Sequence, residues 1–241
     1  MSTMLSMRVW SRLLRQVVDL VVPQACLSCD TPGVLVCADC DSAIRATPGR
    51  ARVIPAFVGA PLHVQSGVMG SPELLRVITA FKDGGRSEAS SYLGTLLGGT
   101  VSAPAHHLVV PVPQSPGAYR RRGWFPLRDI ARAANLDITE SLTLRARHVD
   151  QASLSADERW SNVAGSMWVP PRRSTIIAGK SVIVFDDVIT TGATMVEAAR
   201  ALYAAGARYV SGVTVAAMAR RWPTYIANSQ PPHDDTGRRQ D

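Results

Sequence analysis

Lysine and aromatic residues are scarce in this chain of 241 residues, which is nevertheless basic. Only Lys82 and Lys180 are lysines among 26 basic residues, and aromatic residues make up 6% of the chain. Arginine therefore carries the net charge of +7, and its planar guanidinium suits bidentate contacts with phosphate. A GC-rich genome explains the same bias equally well, and the charge suits nucleic acid as well as small anions. Composition alone selects neither partner.

Several sequence signatures are also absent. No G-x-x-x-x-G-K-[ST] loop occurs, which argues against a P-loop nucleoside triphosphatase. No apolar run approaches the roughly 20 residues of a membrane-spanning helix, so we expect no membrane span. No Ser–His–Asp or Cys–His arrangement indicates a nucleophilic mechanism. The apolar content of 46% still allows a buried core.

The cysteines lie within one short segment, in the pattern C-x2-C-x7-C-x2-C: Cys26, Cys29, Cys37 and Cys40. Two such pairs can supply four thiolates to a tetrahedral Zn²⁺, which predicts a structural metal because no coordination position stays open. Two short disulfides, or a site that has lost its metal, are the alternatives. Asp30 and Asp41 follow the two pairs, where zinc ribbons often carry glycine, and aspartate tolerates left-handed geometry. A reducing compartment disfavours disulfides, and we expect a cytoplasmic protein.

The segment 182–195, V-I-V-F-D-D-V-I-T-T-G-A-T-M, joins an apolar run to a helical pattern. The run predicts a buried strand, and residues 194–205 predict a helix with Gly206 as its C-cap. The connecting loop places backbone N–H groups at a helix N-terminus, which attracts phosphate. The acids can accept hydrogen bonds from sugar hydroxyls or hold a hydrated Mg²⁺. The candidate residues are Asp186, Asp187, Thr190, Thr191, Gly192, Ala193 and Thr194.

Strand and helix patterns alternate from residue 107 to 217, which predicts an α/β fold with a doubly wound, mainly parallel sheet. A helix is predicted to begin at Ser71 as N-cap, and Glu197 lies three residues after Thr194, as in a capping box. The polar stretch 146–166 predicts a long loop of the kind that often closes over a ligand. Further strands are predicted at 53–68, 107–113, 141–145 and 207–219, and further helices at about 87–98 and 127–135.

Composition divides the chain into four parts. Residues 1–22 predict an amphipathic helix that packs onto the protein, although its arginines and lack of acids are also typical of a mitochondrial transit peptide. Residues 23–50 form the cysteine module, and residues 51–222 form the α/β domain. Residues 223–241 are polar without an apolar period, which predicts a mostly disordered tail.

The string D-D-V-I-T-T-G-A-T resembles the phosphoribosyl-diphosphate (PRPP) signature of type I phosphoribosyltransferases. The resemblance implies the fold of type I phosphoribosyltransferases. It further implies that Asp186 and Asp187 lie against the ribose hydroxyls of PRPP and that the following loop surrounds the 5-phosphate. It also implies that the loop after the first core strand contacts pyrophosphate, here Val112, Pro113 and Gln114. A flexible loop that closes over PRPP is then expected at about 146–165.

Further motifs, together with the cysteine module, resemble the ComF family, a branch of phosphoribosyltransferase-like proteins linked to natural competence. They are K-x-G-G-R at 82–86, V-P-V-P at 110–113, R-x-x-R-G-type residues at 119–123 and Q-x-x-L-S-x-x-E-R-x-x-N at 151–162. The resemblance covers about residues 20–220. One departure is W-F-P-L at 124–127, where the family usually has F-N-Q, so a substrate contact made by those polar residues is lost or replaced.

Phosphoribosyl transfer requires a neutralised diphosphate, an oriented ribose and the exclusion of water. We predict Mg²⁺ as a cofactor with PRPP, Arg120 and Arg122 as PRPP-binding residues, and four catalytic residues: Lys82, Arg147, Asp186 and Asp187. The acceptor has no recognisable sequence signature. One hypothesis is an enzyme that transfers phosphoribose to a nitrogenous acceptor. The other is a non-catalytic nucleotide sensor or DNA-uptake component that binds phosphoribosyl ligands or single-stranded DNA.

Overall fold

The structure is a computed structural model, and it describes residues 24–55, 61–98, 107–145 and 163–218. The predicted helix at 1–22, the predicted tail from 223 and nearly all of the predicted closing loop, Arg147 included, lie outside the described residues. No helix in the described ranges is long and apolar enough to cross a membrane.

A mixed, mostly parallel sheet forms the centre of the protein. Its strands are β1 (Arg52–Ile54), β2 (Leu62–Met69), β3 (His107–Pro111), β6 (Ser181–Ile189) and β7 (Tyr209–Ala217). They lie in the order β1-β2-β7-β6-β3, with β1 antiparallel to β2 and the other neighbours parallel. A separate antiparallel pair consists of β4 (Thr143–Leu144) and β5 (Met167–Trp168). The predicted mainly parallel α/β architecture is confirmed.

The helices in the described ranges are α1 (Ala38–Arg45), α2 (Pro72–Lys82), α3 (Ala89–Gly98), α4 (Pro116–Arg122), α5 (Pro126–Ala133), α6 (Pro171–Ile177) and α7 (Ala193–Ala204). Helix α2 begins as predicted, because the Ser71 hydroxyl accepts a hydrogen bond from the backbone N–H of Leu74. Helices α1, α4 and α6 were not predicted. The last two are each 7 residues long, too short to show a helical period, and begin with a proline in the first turn.

Strand β6 lies between β7 and β3, is largely buried and continues beyond its apolar run to Ile189, so that both acids belong to the strand. The backbone N–H of Val112 donates to the carbonyl of Phe185 at 2.9 Å, and that of Met218 donates to the carbonyl of Ile189 at 2.9 Å. These bonds extend the pairing of β6 with β3 and β7 to the carboxyl ends of the strands. Parallel sheets bind ligands at this edge.

Helix α7 packs closely against the sheet and begins at the same edge. A Cβ atom at Gly212 would lie only 2.4 Å from Cε of Met195, so glycine is what allows this approach. The C-cap of α7 is Ala205, one position before the predicted cap, and Gly206 follows it with φ 88°.

Candidate functional site

Asp186 and Asp187 lie side by side near the carboxyl end of β6. Asp187 is buried, and its Oδ2 lies 2.5 Å from Nζ of Lys82. Asp186 is half-buried, and its Oδ1 accepts a hydrogen bond of 2.9 Å from the backbone N–H of Asp187. The structure thus brings together three of the four residues predicted to be catalytic, and the fourth, Arg147, lies outside the described residues.

Their surroundings shift the pKa values of Asp186 and Lys82. Burial and the neighbouring Asp187 carboxylate raise the pKa of Asp186 to about 8, although the Lys82 ammonium opposes the shift. Burial lowers the pKa of Lys82, but the carboxylates of Asp187 and Asp186 outweigh it, so this pKa is raised overall. Lys82 therefore forms an ion pair with Asp187, whereas Asp186 holds a proton at neutral pH. A cation that binds beside Asp186 would favour release of this proton.

Lys82 is held in place by the last residue of α4 and by the segment that follows it. Arg122 donates from Nε to the carbonyl of Lys82 at 2.9 Å and from Nη2 to Oδ1 of Asp83 at 3.0 Å. The rings of Phe81 and Trp124 meet edge to face with their centroids 4.8 Å apart. Arg122 and Trp124 thus fix the end of α2 where Lys82 reaches Asp187. Arg120 is exposed on α4.

The loop between β6 and α7 leaves backbone donors uncapped. Gly192 is the N-cap of α7, has φ 80° and offers no side chain to the first-turn N–H groups. A Cβ atom at this position would lie 2.7 Å from Cδ1 of Ile54, so β1 packs directly on the loop. Thr191 Oγ1 accepts a hydrogen bond of 3.4 Å from the N–H of Ala193. Thr190 and Thr194 are half-buried at the same edge.

The loop after β3 lies on the opposite side of Asp186 from β7. Val112 is the first residue of this loop, and its hydrogen bond to Phe185 holds it beside β6. The side chain of Val112 is buried. Both Oε1 and Nε2 of Gln114 are buried and have no hydrogen-bond partner within the described ranges. A buried amide without partners costs about 1–3 kcal/mol, which a ligand contact would offset.

Sequence reasoning misplaced Glu197 and missed Arg52. The capping box is wrong, because Gly192 caps α7 and the buried Glu197 accepts a hydrogen bond of 2.9 Å from the N–H of Met167. Glu197 also pairs with Arg200 at 2.7 Å, so it fastens β5 to α7. Arg52 reaches the carboxyl edge of the sheet from β1, and no motif points to it.

The four cysteine sulfurs converge on one point. Their Sγ atoms all lie within 4.8 Å of one another, and those of Cys29 and Cys37 are 3.5 Å apart. Tetrahedral zinc with Zn–S bonds of about 2.3 Å requires sulfurs about 3.8 Å apart, so the cluster fits such an ion. All four are free thiols, which argues against the disulfide alternative.

The two cysteine pairs end differently. Asp30 follows the first pair with φ 61°, as expected for left-handed geometry. Asp41 does not adopt that geometry, because Cys37 is the N-cap of α1 and the second pair lies in the first turn of this helix. Asp41 instead accepts hydrogen bonds of 2.8 Å from Arg45 and from the hydroxyl of Tyr92 in α3. The cysteine module is thereby attached to the α/β domain.

The W-F-P-L segment has a structural role. Trp124 packs on Phe81, Phe125 is the N-cap of α5, and Pro126 and Leu127 are buried in the first turn of that helix. These side chains therefore pack against α2 and form the start of α5.

Residues 121–227 match a family model described as the phosphoribosyl transferase domain. No curated protein matches the chain. With the observed sheet and the cysteine cluster, the family match confirms the predicted fold class, a mainly parallel α/β sheet of the phosphoribosyltransferase kind with a four-cysteine module before it.

Similar solved structures include an allosteric regulatory enzyme of purine biosynthesis, with 24% identity and a TM-score of 0.34 over 53% of this chain. A glutamine PRPP amidotransferase from B. subtilis, complexed with ADP and GMP, has 20% identity and a TM-score of 0.34 over 53% of this chain. A hypoxanthine phosphoribosyltransferase from Staphylococcus aureus has 13% identity and a TM-score of 0.32 over 54%. The matches span 25%, 26% and 62% of those proteins, respectively.

Proposed function

We propose that the protein binds PRPP with Mg²⁺ at the carboxyl edge of the sheet and transfers its phosphoribosyl group to a nitrogenous acceptor. The observation that carries this proposal is the convergence of the Lys82–Asp187 pair, the uncapped start of α7 and the unpartnered Gln114 amide around the end of β6. Three ligand groups need contacts: a 5-phosphate, a ribose and a diphosphate. The site offers donors for the two phosphate-bearing groups and carboxylate acceptors for the ribose hydroxyls.

Each part of PRPP has a proposed location. The 5-phosphate accepts hydrogen bonds from the first-turn N–H groups of α7 and from the hydroxyls of Thr190, Thr191 and Thr194, where the helix dipole favours an anion. The ribose hydroxyls bind the two acids. The diphosphate lies on the β3 side, where Gln114 Nε2 can donate to it, with Lys82 supplying positive charge nearby.

The chemistry follows from this placement. The bond from C1 of the ribose to the diphosphate breaks, a bond from C1 to the acceptor nitrogen forms, and the nitrogen loses a proton. When bound, Mg²⁺ would neutralise negative charge on the leaving diphosphate, and the carboxylate of Asp186 would hold the ion. Lys82 pairs with Asp187 and holds its carboxylate at the place proposed for the ribose hydroxyls.

The experiment combines ligand-induced stabilisation with pyrophosphate release. PRPP with Mg²⁺ is expected to raise the Tm, and Thr191→Val is expected to reduce the rise because it removes a phosphate donor. Thr175→Val is the matched control, since Thr175 is exposed on α6. Pooled bases are then added and pyrophosphate is measured. The absence of stabilisation by any phosphoribosyl ligand would overturn the proposal, and stabilisation without release would indicate a nucleotide sensor.

We further propose that the cysteine cluster holds a structural Zn²⁺ and that the chain is a cytoplasmic ComF-type protein. The supporting observations are four free thiols around one point and their attachment to the α/β domain through Asp41. Metal analysis of the purified protein should give about one zinc per chain. Binding of single-stranded DNA with a steep salt dependence would support the DNA-uptake role instead of the enzymatic one.

A further inference from the structure

Arg52 brings a guanidinium to the ligand edge of the sheet from an unexpected element, the edge strand β1. Its Nη2 donates to the carbonyl of Met218 at 3.0 Å and lies 3.9 Å from Sδ of Met69. The N–H of Met218 donates to the carbonyl of Ile189. A single residue, Met218, therefore separates the guanidinium from the end of β6, where the loop of threonines begins.

The charge of Arg52 is not neutralised within the described ranges. No carboxylate there pairs with it, and its Nη1 is buried without a hydrogen-bond partner. A buried N–H donor without an acceptor is destabilising, and a ligand oxygen at Nη1 would offset this cost. The hydrogen bond to Met218 uses only Nη2. A purely structural role for Arg52 would therefore not explain why Nη1 is buried without an acceptor.

The position of Arg52 relative to the proposed diphosphate is set by the strand order. β3 lies on one side of β6, and β7 and β2 lie on the other. Gln114 follows β3, whereas Met218 and Met69 belong to the ends of β7 and β2. In a displacement at C1 the nucleophile enters opposite the leaving group. If the diphosphate lies beside Gln114, the acceptor enters from the side where Arg52 lies.

We propose that Arg52 binds the acceptor and selects a flat nitrogen heterocycle that carries a carbonyl or anionic oxygen. The guanidinium has only donors, so it recognises an oxygen that accepts hydrogen bonds. The thioethers of Met69 and Met218 suit contact with an aromatic face. Gly70 leaves room for Met218, because a Cβ atom there would lie 2.3 Å from Sδ of Met218. This inference rests on the proposed function.

The test measures pyrophosphate release with four probe bases: uracil, orotate and hypoxanthine, which carry exocyclic oxygens, and adenine, which carries none. Release is expected with at least one oxygen-bearing base and not with adenine. Arg52→Met should raise the KM for that base at least about tenfold. The rise in Tm caused by PRPP should stay unchanged. Arg76→Gln, an exposed arginine on α2, is the control with no expected effect.

Folding and binding are separated by a second variant. Arg52→Gln keeps a donor for the Met218 carbonyl but lacks the charge, so it should fold like the parent protein and show the same rise in KM. Release with adenine alone, release with none of the four bases, or an unchanged KM in both variants would overturn the proposal. If PRPP no longer raised the Tm of either variant, the proposal would also be overturned, because Arg52 would then contact PRPP and not the acceptor. Failure of PRPP to stabilise the parent protein would instead refute the proposed function.

Discussion

Nζ of Lys82 lies 2.5 Å from Oδ2 of the buried Asp187, and the pair joins the C-terminus of α2 to the carboxyl end of β6. Removing one charge from such a pair leaves the other uncompensated in a partly dry site. We expect Lys82→Met to lower the free energy of unfolding by about 3 kcal/mol. The double variant Lys82→Met/Asp187→Asn should lose less than the sum of the single variants. Denaturant titration measures each value.

The exposed pair Arg128–Glu140 is the control for this cycle, because its atoms lie 2.6 Å apart but both side chains face solvent. Arg128→Gln should cost less than about 1 kcal/mol. Equal costs for the buried and the exposed pairs, or strict additivity at Lys82 and Asp187, would contradict the structural role given to this contact.

Asp186 makes stability depend on pH. Its pKa is raised to about 8, whereas an aspartate in an unfolded chain titrates near 4. Between these values the folded protein keeps a proton that the unfolded chain releases, so this stabilisation is present at low pH and is lost as pH rises through 8. An asparagine at position 186 mimics the neutral carboxyl group and does not titrate, so it removes this pH dependence of stability. At pH 8.5 we expect Asp186→Asn to be more stable by on the order of 2 kcal/mol, with a Tm a few degrees higher.

The measurement is the difference in Tm between Asp186→Asn and the parent protein, taken from pH 4.5 to 9. The subtraction removes the contribution of all other titrating groups. A difference that grows with pH is the expected result. A flat difference, or one that shrinks with rising pH, would show that folding does not raise the pKa of Asp186.

Gly192 is required for two separate reasons, its φ of 80° and its contact with Ile54. Gly192→Ala should therefore destabilise the protein by more than the roughly 1–2 kcal/mol expected for left-handed strain alone. Gly165→Ala isolates the strain, because Gly165 has φ 71° and a Cβ atom there would meet nothing within 4 Å. Adding Ile54→Val, which removes Cδ1, should bring Gly192→Ala closer to that control. Thermal unfolding decides whether the two glycines differ as expected.

The hydrogen bond from Tyr92 to Asp41 attaches the cysteine module to α3. Tyr92→Phe should lower the free energy of unfolding by about 1 kcal/mol without loss of zinc. Cys40→Ser should release the metal and destabilise the protein further, because structural zinc contributes directly to folding. Zinc content and Tm are measured on the same samples. Loss of zinc from Tyr92→Phe, or no change in its Tm, would contradict this attachment.

The sequence allowed the elements with strong local patterns to be predicted. The apolar run of β6, the Ser71–Pro72 start of α2 and the threonine loop before α7 each depend on neighbours in the chain. The cysteine spacing likewise predicted a cluster, and the sulfurs converge as expected.

Contacts between distant segments could not be predicted in this way. The ion pair of Lys82 with Asp187 and the reach of Arg52 to Met218 join residues far apart in sequence, and both depend on how helices and strands pack. Asp41 and Glu197 were assigned to local motifs, a left-handed turn and a capping box. In the structure each instead accepts hydrogen bonds from another element, Tyr92 in one case and Met167 in the other.

Phosphorus NMR of PRPP in the presence of the protein and Mg²⁺ tests the central claim most directly. The 5-phosphate and the diphosphate give separate resonances, so binding and turnover are observed in one sample. We predict that both sets of resonances shift or broaden with the parent protein and less so with Thr191→Val. We also predict that free pyrophosphate appears only when an acceptor base is added. Resonances that stay unchanged at protein concentrations equal to PRPP would contradict the assignment of a phosphoribosyl site to this edge of the sheet.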